Sequence, residues 1–442
     1  MKSYFLIVSM LFAQLSFAQG ETQPASATWS FEDCVAYALE NNITVKNAAL
    51  DQKIAEVDYN QSKSARLPNL FGTASQNFSN GNSIDPITSD YVTDQIHSTN
   101  VGISSSLTLF QGNQLNNKIE QNKLLLQQSV LQEEVEKNSI VLNLLETYLQ
   151  ALYSKESIRI AENDLAASEK EVARAKARLD AETITLGDYT EAQSQAATKR
   201  YEVIAAKNTY EQYIIELKQL LELPPGQTLD IVPVADNPAL LILNTNSLDV
   251  YYSALDFMPE LEASNLTIKS SQKELDIAKG AYMPTLALNG SLGSGYTSIN
   301  SNAFSDQFDV NFNQRLGLTL SIPIFNRNQT KSAVQTATIN IEKAYLQKQN
   351  TEKEIYKKVQ VAYQNALSAQ EQLAAAQVSE ESARQSYVLA QKKYELGDLS
   401  TTDLVISQNT YTNAQQNYLQ AKYLNILYYQ LLQFYQGNDL EL

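Results

Sequence analysis

The chain carries one unit twice, and that duplication limits its architecture more than any single motif does. Ala65-Arg66-Leu67-Pro68 returns as Ala281-Tyr282-Met283-Pro284, 216 positions later. Phe110 with Asn113-Gln114 returns as Phe325 with Asn328-Gln329, 215 positions later. Gly102 and Asp188 return as Gly317 and Asp403 at that same spacing. A shift held from Ala65 to Asp188 leaves little room for coincidence, so every element of the first copy has a counterpart in the second.

The first copy opens with a helical stretch from about Phe31 to Arg66. Ser30 is its N-cap, with Asp33 three residues on. Val35, Leu39, Ile43 and Val45 to Leu50 follow a helical spacing, and Pro68 stops the run. The second copy repeats this from Pro259 to Tyr282, stopped by Pro284. The period then changes to two. From Leu316 to Ile324 every even position is apolar, and Val101 to Leu109 alternates likewise on the odd positions except at Ser105. Pro284 to Leu292 alternates too, and Leu70 to Phe78 does so more weakly. Such lengths suit tilted bilayer crossings of about 9–11 residues, although a soluble sheet with one wet face gives the same pattern. Polar stretches rich in Asn, Ser and Asp, from Asn80 to His97 and from Thr297 to Phe312, read as long loops outside the cell.

Between Gly112 and Ala181 there is neither Pro nor Gly, and Gln329 to Leu396 is equally clean. About 70 helical residues span about 100 Å. Ala161, Ala166, Ala167 and Ala175, echoed by Ala362, Ala366, Ala369 and Ala374, let neighbouring helices approach closely, as a thin-walled bundle requires. A short turn follows. In the second copy Gly397 is the left-handed C-cap, and Ser400 with Asp403 starts the return helix; in the first, Glu182 takes the glycine's place and Gly187 precedes Asp188. The return helices, Leu186 to Leu221 and Thr401 to Tyr435, are half as long as the descending ones, so each copy's opening helix supplies the missing half by stacking end to end. Leu223-Pro224-Pro225-Gly226 closes the first copy, and an irregular linker with Pro233 and Pro238 runs to about Leu255, forming a small belt with the C-terminal tail. The expected division is a leader at 1–18, helical barrel at 19–66 with 111–222 and at 259–282 with 326–435, barrel strands at 67–110 and 283–325, belt at 223–258 and tail at 436–442.

The leader, MKSYFLIVSMLFAQLSFAQG, has Lys2, an apolar run from Tyr4 to Phe12, and Ser16-Phe17-Ala18 as a small-residue cleavage site. Its apolar core is too short to span hydrocarbon. The mature chain therefore either is soluble or crosses a membrane as strands. Cys34 is the single cysteine and reads as a small buried apolar residue. A net charge of −16 argues against nucleic acid. With one His and one Cys, no metal site or cofactor is expected. His97 is the only histidine available to a nucleophilic triad and sits in a polar stretch, so no catalytic site is expected. The many acids read as solvated helix faces.

Four strands cannot close a barrel, and open backbone edges in lipid cost several kcal/mol each. A dimer gives eight strands, which fill with their own side chains; a trimer gives twelve and a bore. The expected fold is therefore mainly α with membrane β: a two-copy repeat contributing four strands per chain to a 12-stranded trimeric β-barrel, continued by a long α-helical barrel of antiparallel hairpins.

In Trp29-Ser-Phe-Glu-Asp-Cys-Val-Ala-Tyr-Ala-Leu-Glu-Asn-Asn42, the two Ala-x-x-Pro strand starts, the two Phe-x-x-Asn-Gln strand ends and the Tyr394-x-x-Gly397 tip with Asp403, the chain resembles the outer-membrane efflux (TolC-like) channels over essentially its whole mature length. The resemblance implies a homotrimer in the outer membrane, in contact with its lipid and extending into the periplasm. It implies a passive exit duct of a tripartite efflux or type I secretion system, with a periplasmic adaptor (membrane fusion) protein and an inner-membrane RND or ABC transporter as partners. Asp188, Tyr394 and Asp403 fall on the family's periplasmic gate positions, and Leu396, Gly397 and Asp398 on its adaptor-docking tip. Three copies of an acid around a narrow lumen repel anions, yet a plain helix cap accounts for Asp188 and Asp403 equally well. Two departures matter: Leu399 stands where a gate arginine can occur and Ile406 where a second acid can occur. Ala181-Glu182-Thr183 matches the docking tip poorly. A trimeric surface or periplasmic structural coiled coil without transport is the alternative, and it places strands at the C-terminus only. A periplasmic adaptor has one hairpin where this chain has two.

Overall fold

The computed structural model describes residues 28–84, 89–234, 246–440 and 442. The expected leader lies outside them, as does Pro238 of the linker. The described elements are, in chain order, β1 (Thr28–Trp29), α1 (Phe31–Asn41), α2 (Ile43–Ser64), β2 (Phe71–Ile84), β3 (Tyr91–Gln111), α3 (Gln114–Asp180), α4 (Leu186–Leu220), β4 (Asp230–Ile231), α5 (Ser247–Phe257), α6 (Pro259–Gly280), β5 (Thr285–Thr297), α7 (Phe304–Val310), β6 (Asn313–Ser321), α8 (Gln329–Leu396) and α9 (Thr401–Tyr435).

The opening helix is two helices, not one. Asn42 adopts an extended backbone, φ −60 and ψ 133. Its side chain accepts from Thr44 N at 2.8 Å and donates to Leu220 O at 2.9 Å. The first contact caps α2 and the second fastens it to the end of α4, so one residue makes the break and joins α2 to α4 end to end. The second copy has the same break. α5 occupies residues expected to be irregular linker; it has 11 residues like α1, and α6 has 22 like α2. There the break falls at Met258, because Pro259 suits only the first helical position.

Four strands form one antiparallel sheet in the order β2-β3-β5-β6. Most of the first expected loop is strand: β2 and β3 stay paired as far as Ile84↔Tyr91. Polar residues satisfy their backbones by pairing as well as apolar ones do, so composition alone misread this hairpin. The second expected loop holds α7, fixed by buried Gln307, which donates to Asn300 O and Asn302 O at 2.9 Å and accepts from Thr297 N at 3.0 Å. β6 stops at Ser321, short of the alternating run's end, where Pro323 has no N–H to pair.

Each strand-to-helix joint uses two left-handed residues. Gly112 and Asn113 have φ 54 and 61; Arg327 and Asn328 have φ 56 and 63. This is what the repeated Phe-x-x-Asn-Gln encodes, since Asn tolerates that conformation. At the first joint a Cβ on Gly112 would lie 2.2 Å from Gly280 O, and one on Gly280 2.4 Å from Gly112 O. The two copies meet there backbone to backbone.

Partway along the helices β1 pairs with β4 in parallel, over a core of Phe31, Cys34, Leu144, Leu145, Tyr148 and Leu217. The Tyr148 hydroxyl sits 2.8 Å from Val232 O and 3.1 Å from Trp29 O. Burial pushes the Cys34 thiol up to about 12, so it stays protonated and inert. Across the second copy, Val250, Ala254, Ile355, Val359 and Leu432 form the matching cluster. Among the described residues no helix is long and apolar enough to cross a membrane.

Candidate functional site

The second hairpin tip is built from its caps. Gly397 has φ 84, and the Asp398 N–H donates to Lys393 O at 2.9 Å, the long bond of a Schellman turn. Ser400 Oγ accepts from Asp403 N at 3.1 Å and donates to Asp403 Oδ2 at 2.7 Å. The turn leaves Leu396 at the very end with 78% of its surface exposed, beside exposed Asp398. Tyr394, two residues earlier, is buried, its hydroxyl 3.4 Å from Thr401 Oγ1.

The first tip reaches the same shape with a side chain present: Glu182 takes φ 57. Asp188 N donates to Thr185 Oγ1 at 3.2 Å, while Thr185 N and Oγ1 donate to Asp188 Oδ2 at 2.9 and 2.8 Å. These bonds to Thr185, helped by the charge of Arg178, hold the Asp188 carboxyl below its ordinary range.

Of the sequence-assigned gate residues, the structure brings Tyr394 to the other hairpin. The Arg178 guanidinium lies 5.7 Å from the centre of its ring, and Arg174 reaches Glu395 at 3.5 Å. Among the described residues, the hydrogen bonds of Asp188 and Asp403 stay within their own caps. With Leu399 in the turn, the cation beside Tyr394 comes from α3. The sequence signal that was missed is the pair Arg174 and Arg178, four apart on the last turns of a helix.

Above the tips, α3, α4 and α9 bury a polar cluster that sequence reading also passed over. Thr412 Oγ1 donates to Asp164 Oδ2 at 2.6 Å, and Lys199 Nζ lies 3.9 Å from Asp164 Oδ2 and 3.0 Å from Glu202. Asp164, Lys199 and Thr412 are all buried. Burial pushes the Asp164 carboxyl up, with the Thr412 hydrogen bond and Lys199 pulling the other way. Asp164 keeps company with buried Ala161, Ser168 and Ala175, and a charge among such small residues was the available clue.

The sheet has two unlike faces. Leu286, Leu288, Leu292, Leu316, Leu318 and Leu320 share one with Val101, Ile103 and Leu107. Ser104, Ser106, Asn289, Ser291, Arg315 and Thr319 share the other. On that polar face Ser106 Oγ donates to Asn289 Oδ1 at 2.8 Å and Asn289 Nδ2 to Thr319 Oγ1 at 3.1 Å. Among the described residues, β2 and β6 have sheet partners on one side only.

A family model described as outer membrane efflux protein matches residues 35–222 and 250–434, one stretch per copy. The chain belongs to the outer membrane efflux protein family. Members sit in the outer membrane, and this chain's long helices extend from there into the periplasm. It is 23% identical to the outer membrane efflux protein BepC of Brucella suis, over 91% of this chain and 84% of that protein. It is 22% identical to the alkaline protease secretion protein AprF of Pseudomonas aeruginosa, over 69% of this chain but only 63% of AprF. The Campylobacter jejuni CmeC outer membrane channel shares its fold, with a TM-score of 0.78 at 19% identity, covering 92% of this chain and 85% of that one.

Proposed function

We propose that this efflux-family member works as a homotrimer: a passive duct across the outer membrane and periplasm, serving a tripartite efflux or type I secretion system. One observation carries the reading: a four-stranded sheet with one leucine-rich and one polar face, both edges unpaired, joined to helices of 67 and 68 residues. Lipid covers the leucine face. Three sheets joined edge to edge satisfy the strand backbones and enclose a polar bore, and helices about 100 Å long continue that bore inward. The relatives named for efflux and for protease secretion support both kinds of cargo route. No chemistry is required of such a duct.

At the inner end, Asp188, Tyr394 and Asp403 form the gate, and Leu396, Gly397 and Asp398 present the apolar and acidic point on which a periplasmic adaptor docks. An inner-membrane RND or ABC transporter supplies the energy. Purified protein should have the mass of three chains in detergent and conduct ions in planar bilayers; a non-conducting monomer overturns the proposal. Asp403→Asn keeps a capping side chain but removes the charge, and should weaken block by multivalent cations; unchanged block takes Asp403 out of the gate. Gly397→Val should impair adaptor capture while trimers still form, and loss of trimers instead would make the tip structural.

A further inference from the structure

The polar face of the sheet carries one charged side chain between Ser98 and Thr108, Thr285 and Thr297, and Asn313 and Ser321. It is Arg315. It shares a register row with Ser291, Ser104 and Phe71, beside a concavity of about 440 Å³ lined also by Asn289 and Thr319. The row lies six residues from the start of β5, about 20 Å along the strand. Arg315 is exposed, and among the described residues no carboxylate lies within ion-pair distance of it.

Closing the barrel does not neutralise it. Its neighbour β5, TLALNGSLGSGYT, has no acid. The strand that a second copy would lay along the free edge of β6 is β2, FGTASQNFSNGNSI, and that has none either. A guanidinium stays charged at any physiological pH and presents a planar fork to oxyanions. Hydroxyls and an amide stand around it in place of counter-charges, in a chain whose net charge is −16. Rings of Arg or Lys are the usual device of pores that handle anions and phosphates.

We infer that three copies of Arg315 form a cationic collar inside the barrel that binds anionic groups, carboxylate or phosphate, on solutes passing through. The inference rests on the trimeric duct proposed above. The collar lies at the opposite end of the molecule from the acids of the tip, so a cationic ring in the barrel follows the acidic inner end of the duct. An anionic solute that has passed the tip is drawn toward the barrel.

The test uses inorganic tripolyphosphate on single channels of the full protein in planar bilayers. Protein added from one side inserts barrel-first, so the anion is supplied from the other side. Wild-type current should be blocked, with phosphate, pyrophosphate and tripolyphosphate effective in order of rising charge. Arg315→Gln should need about tenfold or more tripolyphosphate for the same block, the loss expected from removing three charges a few ångströms from a multivalent anion. Arg315→Lys should keep most of it. Equal block of conducting wild-type and Arg315→Gln channels overturns the collar alone, as does block of wild type that ignores anion charge. Trimers that carry no current overturn the duct reading, and the collar with it.

Discussion

At the belt and near the tips the same helices are packed on different terms. Around Tyr148, α1, α3 and α4 close on Phe31, Leu144, Leu145 and Leu217, with scarcely any accessible surface left on those side chains. Toward the tips, α3 and α4 carry on with alanines and serines and bury Asp164, Lys199 and Thr412 with α9. Apolar burial stabilises by about 25 cal/mol per Å², whereas a buried ion pair roughly offsets its own desolvation. The belt therefore supplies most of the cohesion, and the tips hold their shape through directional bonds that a modest push can exchange. A clamp in the middle and a more yielding end suit the gated duct proposed above.

Breaking the belt should have the largest effect. Leu145→Ala, at a fully buried site, should destabilise by about 3 kcal/mol through lost burial and the cavity left behind, read as a lowered unfolding midpoint of the detergent-solubilised protein. A loss under about 1 kcal/mol would mean that the belt is not the clamp.

Next is Lys199→Met, which strips Asp164 of its nearby cation. The expected loss is about 2 kcal/mol at neutral pH, and its pH dependence is the sharper test. Asp164 titrates above its ordinary range in the folded chain, so the native state takes up its proton more readily than the unfolded chain does. The penalty of the buried charge is absent below the ordinary carboxylate range and grows as pH rises through the native value. The variant's deficit should therefore shrink as pH falls toward about 4. A deficit independent of pH would show that Lys199 acts by packing alone.

Smaller effects are expected at the turns themselves. Gly397→Ala, at φ 84, should lose about 1 kcal/mol. Glu182→Gly, at φ 57 in the matching turn, should gain about half as much. Both are measurable as changes in protease sensitivity at the tips, and equal responses of the two turns would erase the difference between them.

What could be read from residues alone follows the same division. The long helices were legible because Pro and Gly are missing over lengths where chance would supply several. The second tip was legible because Gly397 and Ser400 leave local signatures, and the first was placed by the repeat, its Thr185 cap showing only in the structure. The breaks at Asn42 and Met258 were not. Asn42 acts through Leu220, which is 178 residues distant in the chain, and such a partner leaves no local pattern. The β2–β3 extension was hidden because polar strands beyond the hydrocarbon need no alternation. Arg174 and Arg178 have surface-like sequence surroundings and gain a role only where α3 meets the end of α8, while Asp164, a charge set among small residues, finds its partners on α4 and α9.

The joint at Asn42 also governs how a conduit of this kind can change its height. α3 runs unbroken alongside both α2 and α4, which abut where Asn42 donates to Leu220 O. Extra residues in α3 would slide every contact beyond them out of step unless α2 or α4 lengthened by a matching amount, and by whole turns. Periplasmic reach is thus ratcheted: it can shift only in paired, quantised increments, and in both copies at once.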